Sequence, residues 1–428
     1  MDSELTLTRR IFAASGAAAA LLAAPACSRA DRPSQIRSMR CADFLDTIGI
    51  NTHVSYKDSQ YNDVSAVLGA LRYTGVKLVR DMAINSQLPN PGHYGTLAAD
   101  GVSFCLFWGV RRSMESAIAE IAALEAAHPG AIHALEGPNE IKQDFSYAGL
   151  KGDDAGRKFM ADMRAAAAAD AHLRRKPLVC FTSYDDVRAA DCNYANYHPY
   201  PKAGSQPDEL LRRTVTQNVG PSGAMPGKPI VFTEFGYHTL VGKPAKPGNW
   251  QGVDPERHAV LTLNGVLDGA SLGVTRTYIY QLFDAYPDAE RKAQGRHFGL
   301  FGFDGAPKPA AGALKRLFAQ LADTAPQARS FPQQAFPGHL EVSAPVSALI
   351  LQHSTGRWFV ALWNEAPLWD KDAAAPRDVA PLHVQISLSE ALAVQTHDLI
   401  DPAKDSSPGT VKTADIMVGL HPTIVQIG

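Results

Sequence analysis

Between Ile48 and Phe283 the chain alternates repeatedly between a short apolar run rich in β-branched and aromatic residues and a stretch whose apolar residues recur at helical spacing. No other feature constrains the fold as strongly, because consecutive βα units build parallel sheets with helices outside them. Strands are predicted at Ile48–His53, Lys77–Met82, Val102–Trp108, His133–Glu140, Pro177–Ser183, Asn193–Tyr200, Pro229–Glu234 and Thr275–Phe283. Val64, Val67, Leu68 and Leu71 mark a helix over Asp63–Leu71 ended by Gly75; Ile118, Ile121 and Leu124 mark one over Ser116–Ala127, stopped by Pro129-Gly130. Further helices are Arg157–Ala171, Pro207–Val219, a segment capped by Asp254 with Pro255 at its first position, and a closing one near Leu314–Leu321; the connection Tyr184–Asp191 is the weakest. Eight strands in about 240 residues match a (β/α)8 TIM barrel, whose usual size is roughly 250 residues. A doubly wound open sheet would carry a glycine-rich phosphate turn after its first strand, and Asn51-Thr-His-Val has none.

Past a compositional break at Thr324–Pro337 the apolar period changes to two, in Ala348–Gln352, Arg357–Trp363, Leu382–Ser387 and Thr423–Ile427. The expected architecture is therefore α/β, with a barrel over residues 48–325 and a small C-terminal β-sandwich over 326–428. A chain of 428 residues, 45% hydrophobic and 20% charged, suffices for one large core and a smaller one. Its net charge of −2 gives no basic surface for nucleic acid, so partners are sought in pockets.

Residues 1–26 read as an export signal of the twin-arginine type: Arg9-Arg10 precedes a small, apolar run from Ala13 to Ala26 that is too short to span a bilayer as a helix. Residues 27–47 then read as a linker. Ala24-Pro25-Ala26 before Cys27 leaves two fates open, cleavage after Ala26 or lipid attachment at Cys27, and the expected location is the periplasm or beyond, with membrane attachment only through that lipid. The five cysteines show no metal-type spacing; Cys105 and Cys180 read as buried thiols, and a Cys41–Cys192 pair stays open.

Catalytic groups of such barrels collect at the C-terminal ends of the strands. Reading only those ends gives His53, Arg80 with Asp81, Trp108, Asn139-Glu140, Ser183, His198 with Tyr200, Glu234, and Gln281 with Asp284. Glu234 closes the unbroken apolar run Ile230-Val-Phe of a strand covered on both faces, where a charge is costly unless used or paired. Asn-Glu at the end of strand four, Glu at the end of strand seven, Arg at the end of strand two, and the trailing Gly299-Leu-Phe-Gly-Phe-Asp-Gly-Ala-Pro-Lys-Pro309 together resemble clan A retaining glycoside hydrolases, the group of cellulase-like and β-xylosidase-like enzymes. The likeness covers about Ile48–Leu321; a Trp usual at the end of strand eight is missing, with Gln281 and Asp284 nearby instead.

The resemblance implies hydrolysis of O-glycosidic bonds in an oligo- or polysaccharide by double displacement, without a cofactor. Glu140 would be acid/base and Glu234 nucleophile, with Glu140 holding its proton because of the anionic Glu234 beside it. Arg80 and Tyr200 would orient Glu234, and Asn139 would bond the sugar 2-hydroxyl. Trp108, Tyr237, Phe283 and Tyr286 stand where sugar rings could stack, and His53, His198 and Gln281 complete the expected substrate wall. Trp358 and Trp363 read as core. The histidines His53, His198 and His238 lack a His-x-His pair on strand one, and no metal is expected. Two other readings share these residues: a non-catalytic carbohydrate-binding surface protein on the same barrel, and a transglycosidase differing only in acceptor access.

Overall fold

The computed structural model describes residues 36–87, 90–109, 113–183, 190–242 and 248–428. The signal 1–26, Cys27 and most of Tyr184–Asp191 lie outside the described residues.

Eight parallel strands form the barrel: β1 (Ile48–Asn51), β2 (Leu78–Met82), β3 (Ser103–Trp108), β4 (Ile132–Pro138), β5 (Leu178–Val179), β6 (Ala195–Tyr197), β7 (Ile230–Phe235) and β8 (Arg276–Ile279). Their hydrogen-bonded order is β5-β4-β3-β2-β1-β8-β7-β6. A bridge between Val179 and Tyr194, with the Cys180 N–H donating to the Tyr194 carbonyl at 2.9 Å, closes the ring. β5 is shorter than its apolar run because the chain beyond Cys180 turns toward β4, where Ser183 bridges Ile141. Cys105, Ala134, Val179, Val231 and Tyr278 form an apolar plug inside the barrel, and a polar layer of Asn51, Arg80, Glu136, Asn196 and Thr233 is buried with them.

The helix Val64–Thr74 begins at Asp63, whose carboxylate accepts from the N–H groups of Ser65 and Ala66, and ends at Gly75, whose φ of 83° only glycine adopts without strain. A helix at Gly92–Ala99, where none was expected, buries Tyr94, Leu97 and Ala98; Gly92 and Gly95 hide it from propensity. The helix Pro255–Ser271, capped by Asp254, is buried almost all round, since the C-terminal domain covers the side that would otherwise face solvent.

That domain is built on one seven-stranded sheet, with the pair Trp369–Asp370 and Ala375–Pro376 as a separate two-stranded ribbon. The long strand Leu382–Asp398 pairs with Gly338–Glu341, Ser406–Val418 and Thr423–Ile427, and its register with Ser406–Val418 shifts between Ser387 and Leu392. Val346, Ile350, Trp358 and Val360 share a small core with Val384, Ile386, Ile416 and Val418. The other side of the same strands, through Leu349, Leu351, Phe359 and Trp363, belongs to the core of the barrel's helical layer. The stretch 27–47 is not linker throughout: Ser38–Arg40 adds a strand parallel to Val346–Gln352, and Cys41–Leu45 is a helix with Cys41 and Phe44 fully buried. Its Ser/Arg/Pro composition concealed this, because a three-residue edge strand needs a neighbouring template rather than an apolar run of its own.

Candidate active site

The site is assembled around Arg80. In the middle of β2 this residue is only 1% exposed, and a buried guanidinium needs anionic partners. It donates to both oxygens of Glu136 at 2.7 and 2.8 Å, to Glu234 Oε1 at 2.7 Å, to Asn51 Oδ1 at 3.0 Å and to Asn139 Oδ1 at 2.5 Å, with Phe107 under its plane at 4.4 Å. Burial disfavours its charge, but Glu136 and Glu234 outweigh that and hold it fully protonated.

Glu234 lies at the C-terminal end of β7, with Oε1 on Arg80 and Oε2 accepting from the Tyr200 hydroxyl at 2.6 Å. Burial pushes its carboxyl up, yet His198, Arg80 and Tyr200 together more than reverse this and bring it down to about 2. Gly236 follows one residue after the strand, and a Cβ there would meet the Tyr280 carbonyl at 2.5 Å, so glycine is what lets the ends of β7 and β8 approach.

Glu140 sits just beyond β4 in the left-handed region, φ 45°, a sparsely populated conformation for a residue with a Cβ. Thr182 holds it there: its hydroxyl accepts the Glu140 N–H at 2.8 Å, and its carbonyl accepts the Ile141 N–H at 2.9 Å. The Glu140 side chain is 35% exposed, against 11% for Glu234.

His198 joins the two acids. Its Nδ1 lies 3.0 Å from Glu140 Oε1 and 3.7 Å from Glu234 Oε2, and its Nε2 lies 2.9 Å from the Thr233 hydroxyl. Hydrogen counting fixes the ring. Thr233 has a single hydroxyl hydrogen, and acceptors at Asn196 Oδ1 (2.8 Å) and Glu136 Oε1 (3.1 Å) compete for it. The Asn196 amide nitrogen is turned to Glu136 and the Cys180 carbonyl, which confirms that its oxygen faces Thr233. Toward His198 the Thr233 oxygen therefore accepts, and Nε2 carries a hydrogen. One proton between Nδ1 and Glu140 then has two places: on the imidazole, facing a carboxylate, or on Glu140, facing a neutral ring.

Single donor atoms of Glu140, His198 and Glu234 lie within 4.8 Å of one another, a set that could in principle hold a cation. Both Glu234 oxygens and the His198 nitrogens are already engaged in hydrogen bonds, and the Arg80 guanidinium at 2.7 Å opposes a second positive charge there.

Of the expected wall, the structure brings Asn139, Arg80, His198 and Tyr200 to the carboxyl pair. Since Arg80 occupies the Asn139 oxygen, its amide NH₂ is the group left for the cleft. His53 stacks on Tyr56 at 4.6 Å, with Nε2 buried and unpartnered and the imidazole lowered by burial to about 4. Gln281 is buried behind it, accepting from the Tyr61 hydroxyl at 3.3 Å. Three expectations of sugar stacking, at Trp108, Tyr237 and Phe283, are corrected. Trp108 is 4% exposed and packs edge-to-face on Phe159 at 5.3 Å, and Tyr237 is 2% exposed with its hydroxyl donating to the Ser205 carbonyl at 2.8 Å. Both rings serve the core, because a strand-end aromatic pointing between barrel and helices meets packing and not solvent. Phe283 is likewise buried against Tyr61, and Asp284 pairs with Lys308 at 2.8 Å. Trp363, read as core, is fully buried, and Trp358 is 4% exposed. Cys41 and Cys192 are free, the latter beside Met225 Sδ at 3.9 Å with Cys180 adjacent.

The sequence reading passed over Glu136, Thr182, Asn196 and Thr233. Glu136 alone had a signal: it alternates with Ala134 on the inward face of β4, opposite an arginine that needs more than one carboxylate. Tyr280, in contact with Tyr200 and Phe298, supplies the aromatic at the end of β8 where a Trp was missed, and the Tyr280–Gln281 peptide is cis. Half-buried Trp250 stands 6.2 Å from Tyr200.

No protein-family model matches the chain, and no curated protein matches its sequence. Among solved structures, a family 39 glycoside hydrolase from Bacteroides cellulosilyticus WH2 aligns over 90% of this chain and 82% of its own, with TM-score 0.59 and 10% identity. The barrel with its β domain is a fold shared with a glycoside hydrolase. Weaker likenesses are to a β-glucuronidase from Ruminococcus gnavus (TM-score 0.45, 19% identity, 64% of this chain and 49% of that one) and to a β-1,3-glucanosyltransferase from Rhizomucor miehei (TM-score 0.45, 15% identity, 62% and 96%). In fold the chain resembles the clan A barrel glycosidases, without assignment to one family.

Proposed function

We propose that the protein is a retaining O-glycoside hydrolase acting on an oligo- or polysaccharide, with Glu234 as nucleophile and Glu140 as acid/base. The observation that carries this reading is the pairing of two unlike carboxyls whose oxygens approach within 4.8 Å. Retaining enzymes place theirs about 5–5.5 Å apart, and inverting ones roughly 6.5–9.5 Å, to admit a water. The environments divide the labour. Glu234 is held ionised, with both oxygens fixed by Arg80 and Tyr200, which suits in-line attack on an anomeric carbon. Glu140 faces the cleft with its proton shared toward His198, which suits delivery to a departing oxygen and, in the second step, recovery of a proton from water. As Glu234 becomes esterified its charge disappears, and the guanidinium stays paired through Glu136, so no buried cation is left uncompensated during turnover. The Asn139 amide, His53 and Tyr280 are the groups proposed to meet the sugar, and no cofactor enters this scheme. The twin-arginine stretch supports the further proposal of export to the periplasm or beyond, with a lipid on Cys27 as its variant.

Intact-mass labelling with a panel of activated 2-deoxy-2-fluoro glycosides, followed by peptide mapping, tests the reading. One adduct on the peptide containing Glu234 is expected; turnover of a glycoside with an adduct elsewhere, or with inverted anomeric product, overturns it.

A further inference from the structure

Away from the cleft, three carboxyl groups meet where the barrel docks on the C-terminal sheet. Asp208 opens the helix Asp208–Val219, Asp268 lies in the helix Pro255–Ser271, and Glu365 follows the strand Trp358–Asn364; they are 7%, 3% and 8% exposed. Glu365 and the two aspartates are close enough for each charge to bear on its neighbours. Among the described residues, the side chains that donate to Asp268 and Glu365 are neutral. Trp363 Nε1 donates to Asp268 Oδ1 at 2.9 Å, the Ser347 hydroxyl donates to Glu365 Oε1 at 2.5 Å, and Tyr237 faces both Asp208 and Asp268. Asn264, one turn before Asp268, turns its amide to Gln206 and to the Asn364 carbonyl. Among the described residues no lysine, arginine or histidine forms a salt bridge with Asp268 or Glu365.

Two ionised carboxylates cannot hydrogen-bond each other, since neither has a hydrogen to give. Asp268 Oδ2 is buried and finds no donor as long as its neighbours are ionised, and Asn264 Oδ1 is buried without one as well. A proton on Glu365 or Asp268 supplies the missing donor. We propose that this cluster retains protons at neutral pH and acts as a pH-sensitive latch, fastening the C-terminal sheet to the barrel when protonated and loosening it when the protons leave.

The direction of titration agrees. Burial, then the proximity of Glu365, drives Asp268 well above the ordinary carboxyl range, and burial with the charge of Asp208 takes Glu365 to about 7. A group whose folded pKa exceeds its unfolded one gives its full stabilisation below the unfolded value, about 4.3 for Glu. That contribution declines as pH rises and is gone above the folded value. For Glu365 the loss runs between about pH 4.5 and 7, and Asp268, raised as well, loses its share in the same direction as pH rises.

The test follows thermal unfolding of the full chain from pH 5 to 8.5 for the natural protein, Glu365→Gln and Asp268→Asn, in EDTA and again with millimolar calcium or magnesium. Glu365→Gln keeps a donor at every pH, so its Tm should fall by ~5 °C less over this range than that of the natural protein. Equal slopes overturn the latch, as does a calcium- or magnesium-dependent recovery at pH 8.5 that shows a cation rather than a proton filling the cluster. If the variants do not fold, difference infrared spectroscopy of the natural protein reads the point directly. A protonated carboxylic carbonyl band surviving at pH 7 and lost at higher pH supports the proposal, and its absence at pH 7 overturns it. Amide exchange over residues 358–365, corrected for intrinsic rate, should lose protection as that band disappears, while the barrel strands keep theirs.

Discussion

The molecule buries two carboxyl clusters of similar make-up and opposite electrostatics. In the cleft, Glu136 and Glu234 share Arg80, and Glu234 is driven down to about 2. At the barrel–sheet interface, the hydrogen-bond donors to Asp268 and Glu365 among the described residues are an indole and a serine hydroxyl, with Asp208 close by, and Glu365 is driven up to about 7. Burial pushes in the same direction at both places. The difference lies in what faces the acid: His198 and the Arg80 guanidinium at 2.7 Å, together with the Tyr200 hydroxyl, exceed the desolvation cost and reverse the sign. A buried acid beside a fixed cation suits nucleophilic attack; buried acids without one store protons.

The comparison can be broken most severely at Glu234. Glu234→Ala should reduce kcat by at least ~10⁴-fold while leaving the fold intact, and azide or formate should restore turnover of an activated glycoside by occupying the vacated volume; steady-state kinetics with and without the anion decide it. Arg80→Met should bring the cleft closer to the interface. With Glu136 and Glu234 left buried without that guanidinium, chemical denaturation should show a loss of about 3–5 kcal/mol, and the stabilisation that the depressed Glu234 contributes at neutral pH should shrink, so that less of it is lost as pH falls. Tyr200→Phe removes one charge-assisted hydrogen bond, worth about 1.5–3 kcal/mol, from an otherwise intact cluster. It should lower kcat by ~10- to 100-fold and move any acidic limb set by Glu234 to higher pH, as a pH–rate profile would reveal. The smallest effect is at the interface, where Glu365→Gln should leave kcat unchanged and only flatten the dependence of Tm on pH.

Legibility in the sequence differed between these regions for a physical reason. Glu140 and Glu234 could be put in one cleft from the sequence because each ends a strand whose apolar run can be read locally, and the barrel's topology brings strand ends together whatever the side chains are. The same rule placed Arg80, His198 and Tyr200 near them, where the structure shows their contacts. Trp108 and Tyr237 obeyed that rule too, yet they point into packing, and which way a residue at a strand end turns is decided by neighbours distant in sequence. The strand Ser38–Arg40 escaped because its pairing partner, Val346–Gln352, is some three hundred residues away. Thr182 gave no signal at all, since its work is to hold the backbone of Glu140 in an unusual conformation that composition does not encode.

By itself the sequence determined the βα alternation, the change to period two beyond the barrel, and the strand ends on which chemistry could be placed. Those follow from backbone geometry and the apolar pattern of a few adjacent residues, which short segments carry within themselves. Only the tertiary structure decided which carboxyls received a cation. Arg80 meets Glu234 across 154 positions and Glu136 across 56, while Trp363 meets Asp268 across 95, and an ionisable group takes its charge state from whatever the fold sets within a few ångströms of it.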